Sequence, residues 1–236
     1  LVKFIKEHNP DVICLQESGK WPRNTAHEFS KMIGYKYFTY NVKNGNSYFS
    51  KYKIENVDAF KDDDIRRFAD IKRIKISKDK NFYLVNCHFN SFGISKEEIE
   101  YINDTKNIVK DSEVYGKSVI SKLKRGFERR TKSTNLLLKN LPDNMQPMVI
   151  CGDFNDTPDG GQFSLVSDIV DNKGLLLHQR HEGSIRYKGK WELIDFFMVS
   201  PDIHSSEMEV VRVPFLMTYD RKYPGEKPLR TYSGPR

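Results

Sequence analysis

Apolar positions along the chain follow two patterns. Short, nearly continuous apolar runs occur at 11–16 (Asp-Val-Ile-Cys-Leu-Gln), 81–87 (Asn-Phe-Tyr-Leu-Val-Asn-Cys), 148–151 and 193–200. Runs of this length and density read as buried strands. Further strands are expected at 35–40 and 46–50, joined across the Asn44-Gly45 turn signal. Others are expected at 71–77, linked to the 81–87 run by a turn at 79–81, and at 207–213 after the Pro201-Asp202 turn.

Helical spacing governs the remainder. Residues 1–8 read as a helix stopped by Asn9-Pro10, and 24–33 as a helix capped by Asn24 or Thr25 with Ala26, Phe29 and Ile33 on one face. Helices are also expected over 96–110, 117–139 and 161–167; the second of these is long and basic, with Val119, Ile120, Leu123 and Phe127 packing inward. Strands too apolar to keep a wet face, interspersed with helices, predict an α/β (α+β) layered domain whose sheets are covered on the outside. No fixed-period repeat, low-complexity segment or linker interrupts residues 1–236, so a single domain is expected. The chain opens on the apolar face of a helix without a capping residue, which predicts further residues ahead of Leu1.

Composition narrows the class. The 236 residues suffice for one large domain with a real core, at 38% hydrophobic and 30% charged. No stretch approaches the roughly 20 apolar residues that span a bilayer, and no signal peptide is visible. The net charge of +7 suits anionic partners, although ordinary solvated surface charge accounts for it equally well. Cys14, Cys87 and Cys151 are odd in number, widely spaced and without a Cys-x-x-Cys pair, which argues against a disulfide framework and a zinc site. Each lies in an apolar run and is expected to be a buried, reduced core residue.

Four polar clusters sit where the buried runs end: Gln16-Glu17; Asn86, His88 and Asn90; Asp153, Asn155 and Asp156; and Asp195. Layered α/β folds commonly place their sites at strand ends. A carboxylate inside or just beyond a hydrophobic strand is unfavourable unless a metal or a donor meets it. Oxygen ligands of this kind suit Mg²⁺ or Mn²⁺. Asp153 and Asn155, two apart on an extended segment, point to the same side. An ionised Asp can take a proton from water, and an Asn amide can hold that water or a phosphate oxygen. Taken singly, each has a bland reading: Glu17 as a loop carboxylate, His88 as a structural histidine, Gly-Asp-x-Asn as a turn.

Taken in order, Asp11-Val-Ile-Cys-Leu-Gln-Glu17, Val85-Asn-Cys-His-Phe-Asn90, Val149-Ile-Cys-Gly-Asp-Phe-Asn-Asp-Thr-Pro158 and Leu193-Ile-Asp-Phe-Phe197 resemble successive motifs of the endonuclease/exonuclease/phosphatase superfamily. That group includes DNase I-like nucleases, abasic-site endonucleases, sphingomyelinases and inositol-polyphosphate phosphatases. The resemblance covers nearly the whole chain. It implies a four-layered, DNase I-like sandwich of two mixed β-sheets flanked by helices. It also implies hydrolysis of phosphodiesters or phosphomonoesters with Mg²⁺ or Mn²⁺. By the resemblance, Glu17 is the metal ligand, Asp153 activates the attacking water, and Asn155 binds the scissile phosphate. His88 contacts phosphate or assists the leaving group, and Asp195 orients a further catalytic histidine. Asn90 and Arg186 are expected at the substrate.

Two features of the superfamily are missing. A first strand with a Tyr-Asn-Val-type motif would precede Leu1, and a Ser-Asp-His motif would follow Ser233-Gly-Pro-Arg236. The expectation is a piece of a bacterial-type member truncated at both ends, with the activity of the fragment itself left open. A nuclease is slightly favoured on charge. The alternatives are a lipid or inositol-phosphate phosphoesterase and a non-catalytic anion- or nucleic-acid-binding relative. The basic helix, with Lys117, Lys122, Lys124, Arg125, Arg129, Arg130 and Lys132 against Glu128, is expected either to meet nucleic acid or an anionic membrane surface or to form a solvated face. Arg186, Lys188 and Lys190 read either as cleft residues or as an exposed hairpin.

Overall fold

Alternation within single strands sorts the apolar side chains into three layers. The structure, a computed structural model, describes residues 1–22, 24–60, 63–95, 97–98, 101, 112–141, 147–158, 165–178, 182–187, 189–204 and 207–229. Its strands are β1 (Val12–Leu15), β2 (Tyr37–Tyr40), β3 (Ser47–Ser50), β4 (Lys53–Asn56), β5 (Ala69–Lys75), β6 (Asn81–His88), β7 (Met148–Asp153), β8 (Leu176–His178), β9 (Ile185–Tyr187), β10 (Lys190–Glu192), β11 (Asp195–Val199), β12 (Met217–Asp220) and β13 (Gly225–Pro228). The helices are α1 (Val2–His8), α2 (Thr25–Ile33), α3 (Ser112–Asn140) and α4 (Leu165–Lys173).

A three-stranded sheet runs β1-β3-β2 and a six-stranded sheet β4-β5-β6-β7-β11-β8; β9-β10 and β12-β13 form separate hairpins. The β6-β7 ladder is parallel, which makes the large sheet mixed; the ladders of the small sheet are antiparallel. In β3, Phe49 turns outward onto Ile5 of α1 and onto Ala26, Phe29 and Ile33 of α2. Its neighbour Tyr48 turns inward and packs between the sheets with Ile74, Leu84 and Cys151. On the far face of the large sheet, Val85, Ile150 and Met198 meet Leu137 of α3 and Val166 and Ile169 of α4. Helices, sheet, sheet and helices thus stack in the mixed α/β sandwich that the sequence implies.

Between the apolar layers runs one polar seam. The Asn86 side chain on β6 accepts a bond from Gln16 Nε2 at 2.7 Å and donates to Leu15 O at 3.1 Å and Ser47 O at 3.3 Å. Asn86 is fully buried, and its backbone is engaged by Tyr48 and Asn46. Every bond crosses from one sheet to the other, so the seam fixes how β1 and β3 sit on β6.

Several boundaries differ from expectation. Strand β7 runs two residues past 151 and takes in Gly152 and Asp153. The strand expected over 193–200 begins at Asp195. Asn24 occupies the cap position of α2 without a side-chain capping bond. The helix expected over 161–167 is α4, and 161–164 lie outside the described residues. Of 96–110, only 97, 98 and 101 are described, all helical. The strand expected over 207–213 pairs with no described strand; Met208 and Val210 pack on the main core, so the alternation is real but serves burial without a ladder. On α3, Ile120 and Phe127 are exposed, while Val119, Gly126, Arg130, Thr134 and Leu137 face inward. The apolar spacing misleads there because a buried arginine and a glycine occupy the packed stripe.

All three cysteines are free, and burial pushes the Cys87 thiol well above its ordinary range. Among the described residues, no helix is long and apolar enough to cross a membrane.

Candidate active site

Three adjacent strands of the large sheet place one polar residue each in a row. His88 pairs in register with Asp153 across the parallel β6-β7 ladder, and Asp153 pairs with Asp195 across the antiparallel β7-β11 ladder. The next residue in each strand direction is a phenylalanine, and strand alternation turns it the opposite way. Phe154 stacks on Phe89 at 5.6 Å and on Phe196 at 4.3 Å between ring centroids. All three rings are at most 2% exposed. The polar row therefore rests on a continuous aromatic layer.

Gly152 makes that row possible. Its φ is 138°, and a Cβ there would lie 2.0 Å from the Cys87 carbonyl oxygen. No side chain fits, and the close approach of β7 to β6 brings Asp153 beside His88.

The row floors a cleft of about 900 Å³ whose lining includes Glu17, Arg67, His88, Asn90, Asp153 and Asn155. His88 Nε2 lies 3.8 Å from Asp153 Oδ2 and 4.0 Å from Glu17 Oε1. These gaps exceed a hydrogen bond, so the groups lie close together without a direct bond. Glu17 arrives from the other sheet. It has a φ of 58°, and the adjoining Ser18 N–H donates to Gly45 O at 2.8 Å. Its side chain is 82% exposed.

Asn155 also adopts positive φ, at 48°, a conformation Asn tolerates. Its N–H donates to Asp153 Oδ1 at 2.8 Å and its side-chain nitrogen to Phe89 O at 2.7 Å. Burial pushes the Asp153 carboxyl above the usual range, and the Glu17 charge adds to this; the Asn155 N–H and His88 oppose it. Burial drives Asp195 further, to about 6, against a hydrogen bond from Ser184 and with help from the Asp153 charge. Two carboxyls with raised proton affinity thus lie beside an imidazole and an exposed carboxylate.

The match to known families decides the identity. A model of the Endonuclease/Exonuclease/phosphatase family covers residues 1–215. The chain belongs to this family. Endonuclease/exonuclease/phosphatase proteins are hydrolytic phosphoesterases, as the sequence motifs imply. The fold agrees with solved family structures at low identity. An Endonuclease/Exonuclease/phosphatase family protein from Bacteroides thetaiotaomicron matches with a TM-score of 0.55 at 12% identity, over 96% of this chain and 82% of that one. A mutant of Staphylococcus aureus beta toxin with bound magnesium ions matches at 0.53 and 14%, over 96% and 86%. The human Nocturnin catalytic domain with bound sulfate matches at 0.53 and 15%, over 85% and 73%. No curated protein sequence matches the chain.

Within this endonuclease/exonuclease/phosphatase domain, the structure gathers Glu17, His88, Asn90, Asp153, Asn155 and Asp195 around one cleft. Arg186 is a correction. Its guanidinium donates to Gly189 O, Tyr223 O and Pro224 O at 3.2, 2.9 and 3.0 Å, which ties β9-β10 to β12-β13. It is a clamp between hairpins, and Ile185 beside it lines the cleft instead.

Two residues escape the motif reading. Arg67, in a short 3-10 turn at Ile65–Arg67, is the one arginine or lysine among the described cleft lining. Arg130 belongs to the basic helix but is only 1% exposed, with its guanidinium 2.8 Å from Asp156 Oδ2 and bonded to the Asn155 carbonyl. It also lies 4.6 Å from the centre of the Phe92 ring. Its place in the packed stripe of α3, rather than its charge, is the signal that identifies it.

Proposed function

We propose that the domain hydrolyses phosphate esters with the help of Mg²⁺ or Mn²⁺, with the chemistry at the His88–Asp153–Asp195 row. The observation that carries this reading is the meeting, in one cleft, of a half-buried carboxyl of raised proton affinity, an imidazole 3.8 Å away and an exposed carboxylate facing both.

Among the described residues, no group of three or more His, Cys, Asp or Glu side chains is placed to hold a metal ion. The donor chemistry nonetheless fits a hard cation, because Mg²⁺ is commonly held by one or two carboxylates together with water and substrate phosphate. Glu17 is the residue that would hold it, with Asp153 next nearest across the His88 gap. An ion held there would supply positive charge to stabilise negative charge on the phosphate and would make water more acidic.

The remaining steps belong to the chain. Asp153, made more basic by burial, accepts a proton from the attacking water. Asn155, fixed by its bond to Phe89 O, keeps the Asp153 carboxylate aimed through its own N–H and presents the rest of its amide to the phosphate. His88 and Arg67 contact phosphate oxygens from the cleft wall. Asp195, on the side of Asp153 opposite His88, has its carboxyl raised to about 6 by burial and can take up or release a proton near neutrality.

The test is a panel of plasmid DNA, RNA, sphingomyelin, inositol phosphates and a chromogenic phosphodiester, assayed with Mg²⁺, Mn²⁺ and EDTA. Turnover is expected only with metal, and Asp153→Asn should lower kcat by about 10³-fold. Full turnover in EDTA, or an unimpaired Asp153→Asn protein, would refute the assignment.

A further inference from the structure

A second groove lies on the flank of α3, next to the catalytic cleft. It measures about 470 Å³, and Phe92, Lys122, Arg125, Glu128, Arg129 and Lys132 help to line it. Segment 90–93 divides the two spaces: Asn90 and Ser91 line the cleft, Phe92 and Gly93 the groove. Gly126 lets this segment lie directly on the helix, since a Cβ there would approach Phe92 to 2.9 Å. Asp64 forms a second bridge. Its carboxylate takes Lys132 Nζ from the groove at 2.8 Å and lies 3.8 Å from Nε of Arg67 in the cleft.

The cations of the groove are not equivalent. Lys122 is paired with the buried Glu98, and Lys132 with Asp64. Glu128 has Lys124 at 4.0 Å. Among the described residues, neither Arg125 nor Arg129 has a carboxylate partner; Arg129 Nε donates only to the Arg125 carbonyl, at 3.3 Å. Two exposed guanidiniums without counter-charges thus face a groove that abuts a phosphate-handling cleft.

We propose that this groove is an exosite for the backbone phosphates of a nucleic acid strand whose scissile phosphate occupies the cleft; the proposal rests on the phosphoesterase reading above. A cationic groove separated by one short segment from a cleft read as handling phosphate suits a ligand with repeating phosphates. A monophosphate fills only one of them. The arrangement disfavours a membrane surface, which takes apolar side chains interleaved with cations. At 100° per residue, the exposed Ile120 and Phe127 project roughly 140–180° around the helix from Arg125 and Arg129.

The experiment compares the full chain with its R125A/R129A variant. In EDTA, binding of a labelled single-stranded oligonucleotide is followed by anisotropy across a salt series. The slope of log K against log salt should shrink by about 1.4 on loss of two phosphate contacts. With Mg²⁺, KM for the oligonucleotide should rise with kcat retained, while hydrolysis of bis(p-nitrophenyl) phosphate stays unchanged. An unaltered slope and KM overturn the exosite. So does a defect confined to vesicles of equal parts phosphatidylserine and phosphatidylcholine. Absence of bis(p-nitrophenyl) phosphate hydrolysis by the unmutated protein overturns the phosphoesterase reading instead, and the binding series in EDTA still decides the groove.

Discussion

Glu17 and Asp195 are both carboxylates at strand ends and both line the same cleft, yet their surroundings are opposite. Glu17 hangs from a positive-φ turn of the small sheet with its side chain 82% exposed. Asp195 is the first residue of β11 in the large sheet, where burial raises it to about 6. The exposed acid is open to a cation arriving from solvent. The buried one resists ionisation and is poised to exchange a proton near neutrality. The carboxyl group is the same in both; position on rim or floor divides the labour.

The comparison can be broken most severely at the floor. Gly152→Ala forces a methyl group into the Cys87 carbonyl and is expected to lower unfolding free energy by about 3 kcal/mol, with loss of activity. Urea denaturation measures this; a loss below about 1 kcal/mol would show that β6 and β7 can separate without consequence.

Asp195→Asn tests the same floor with the opposite sign. A folded-state pKa raised above the unfolded value means that the native protein binds the proton more tightly. The penalty is absent below the unfolded value, grows as pH rises past about 3.8 and is full above about 6. Removing the charge should therefore stabilise the protein by about 3 kcal/mol at pH 7.5 in EDTA and by almost nothing near pH 3.5. Equal stability of the two proteins at pH 7.5 would show that Asp195 ionises without strain.

The rim should respond in another currency. Glu17→Gln is expected to leave the melting temperature in EDTA unchanged, because the side chain is exposed. The Mn²⁺ concentration for half-maximal activity should rise by at least the roughly tenfold that loss of a supporting partner brings. An unchanged metal requirement would remove Glu17 from the cation site.

Much of this division was legible in the sequence because strand ends announce themselves. Gln16-Glu17, His88, Asp153 and Asp195 each close or open a short apolar run, and a charged residue there stands out against its neighbours. The alternation His88-Phe89, Asp153-Phe154 and Asp195-Phe196 was equally present, although only register shows that the three pairs lie side by side. Arg186 and Arg130 mark where reading by charge failed. Both are arginines near expected site elements, but a guanidinium can satisfy buried carbonyls and carboxylates as readily as a substrate, and sequence does not state which. The short strands β9, β10 and β13 lack an apolar run of their own; each pairs only within its hairpin, so no buried run announces it. Arg67 carried no motif at all; a turn before β5 brings it to the cleft wall.

The Asn86 seam has a mechanical consequence. Glu17 belongs to one sheet and the His88 row to the other, so any sliding of the sheets would change their separation while leaving the row intact. Asn86 sits two residues before His88, and its partner Gln16 one residue before Glu17. The bond between them acts as a spacer at the base of the gap. The tolerance of the candidate cation site is thus set below it by an amide pair that never meets the ion, and the hydrogen-exchange lifetime of the buried Asn86 N–H becomes a gauge of how rigidly the two halves are held together.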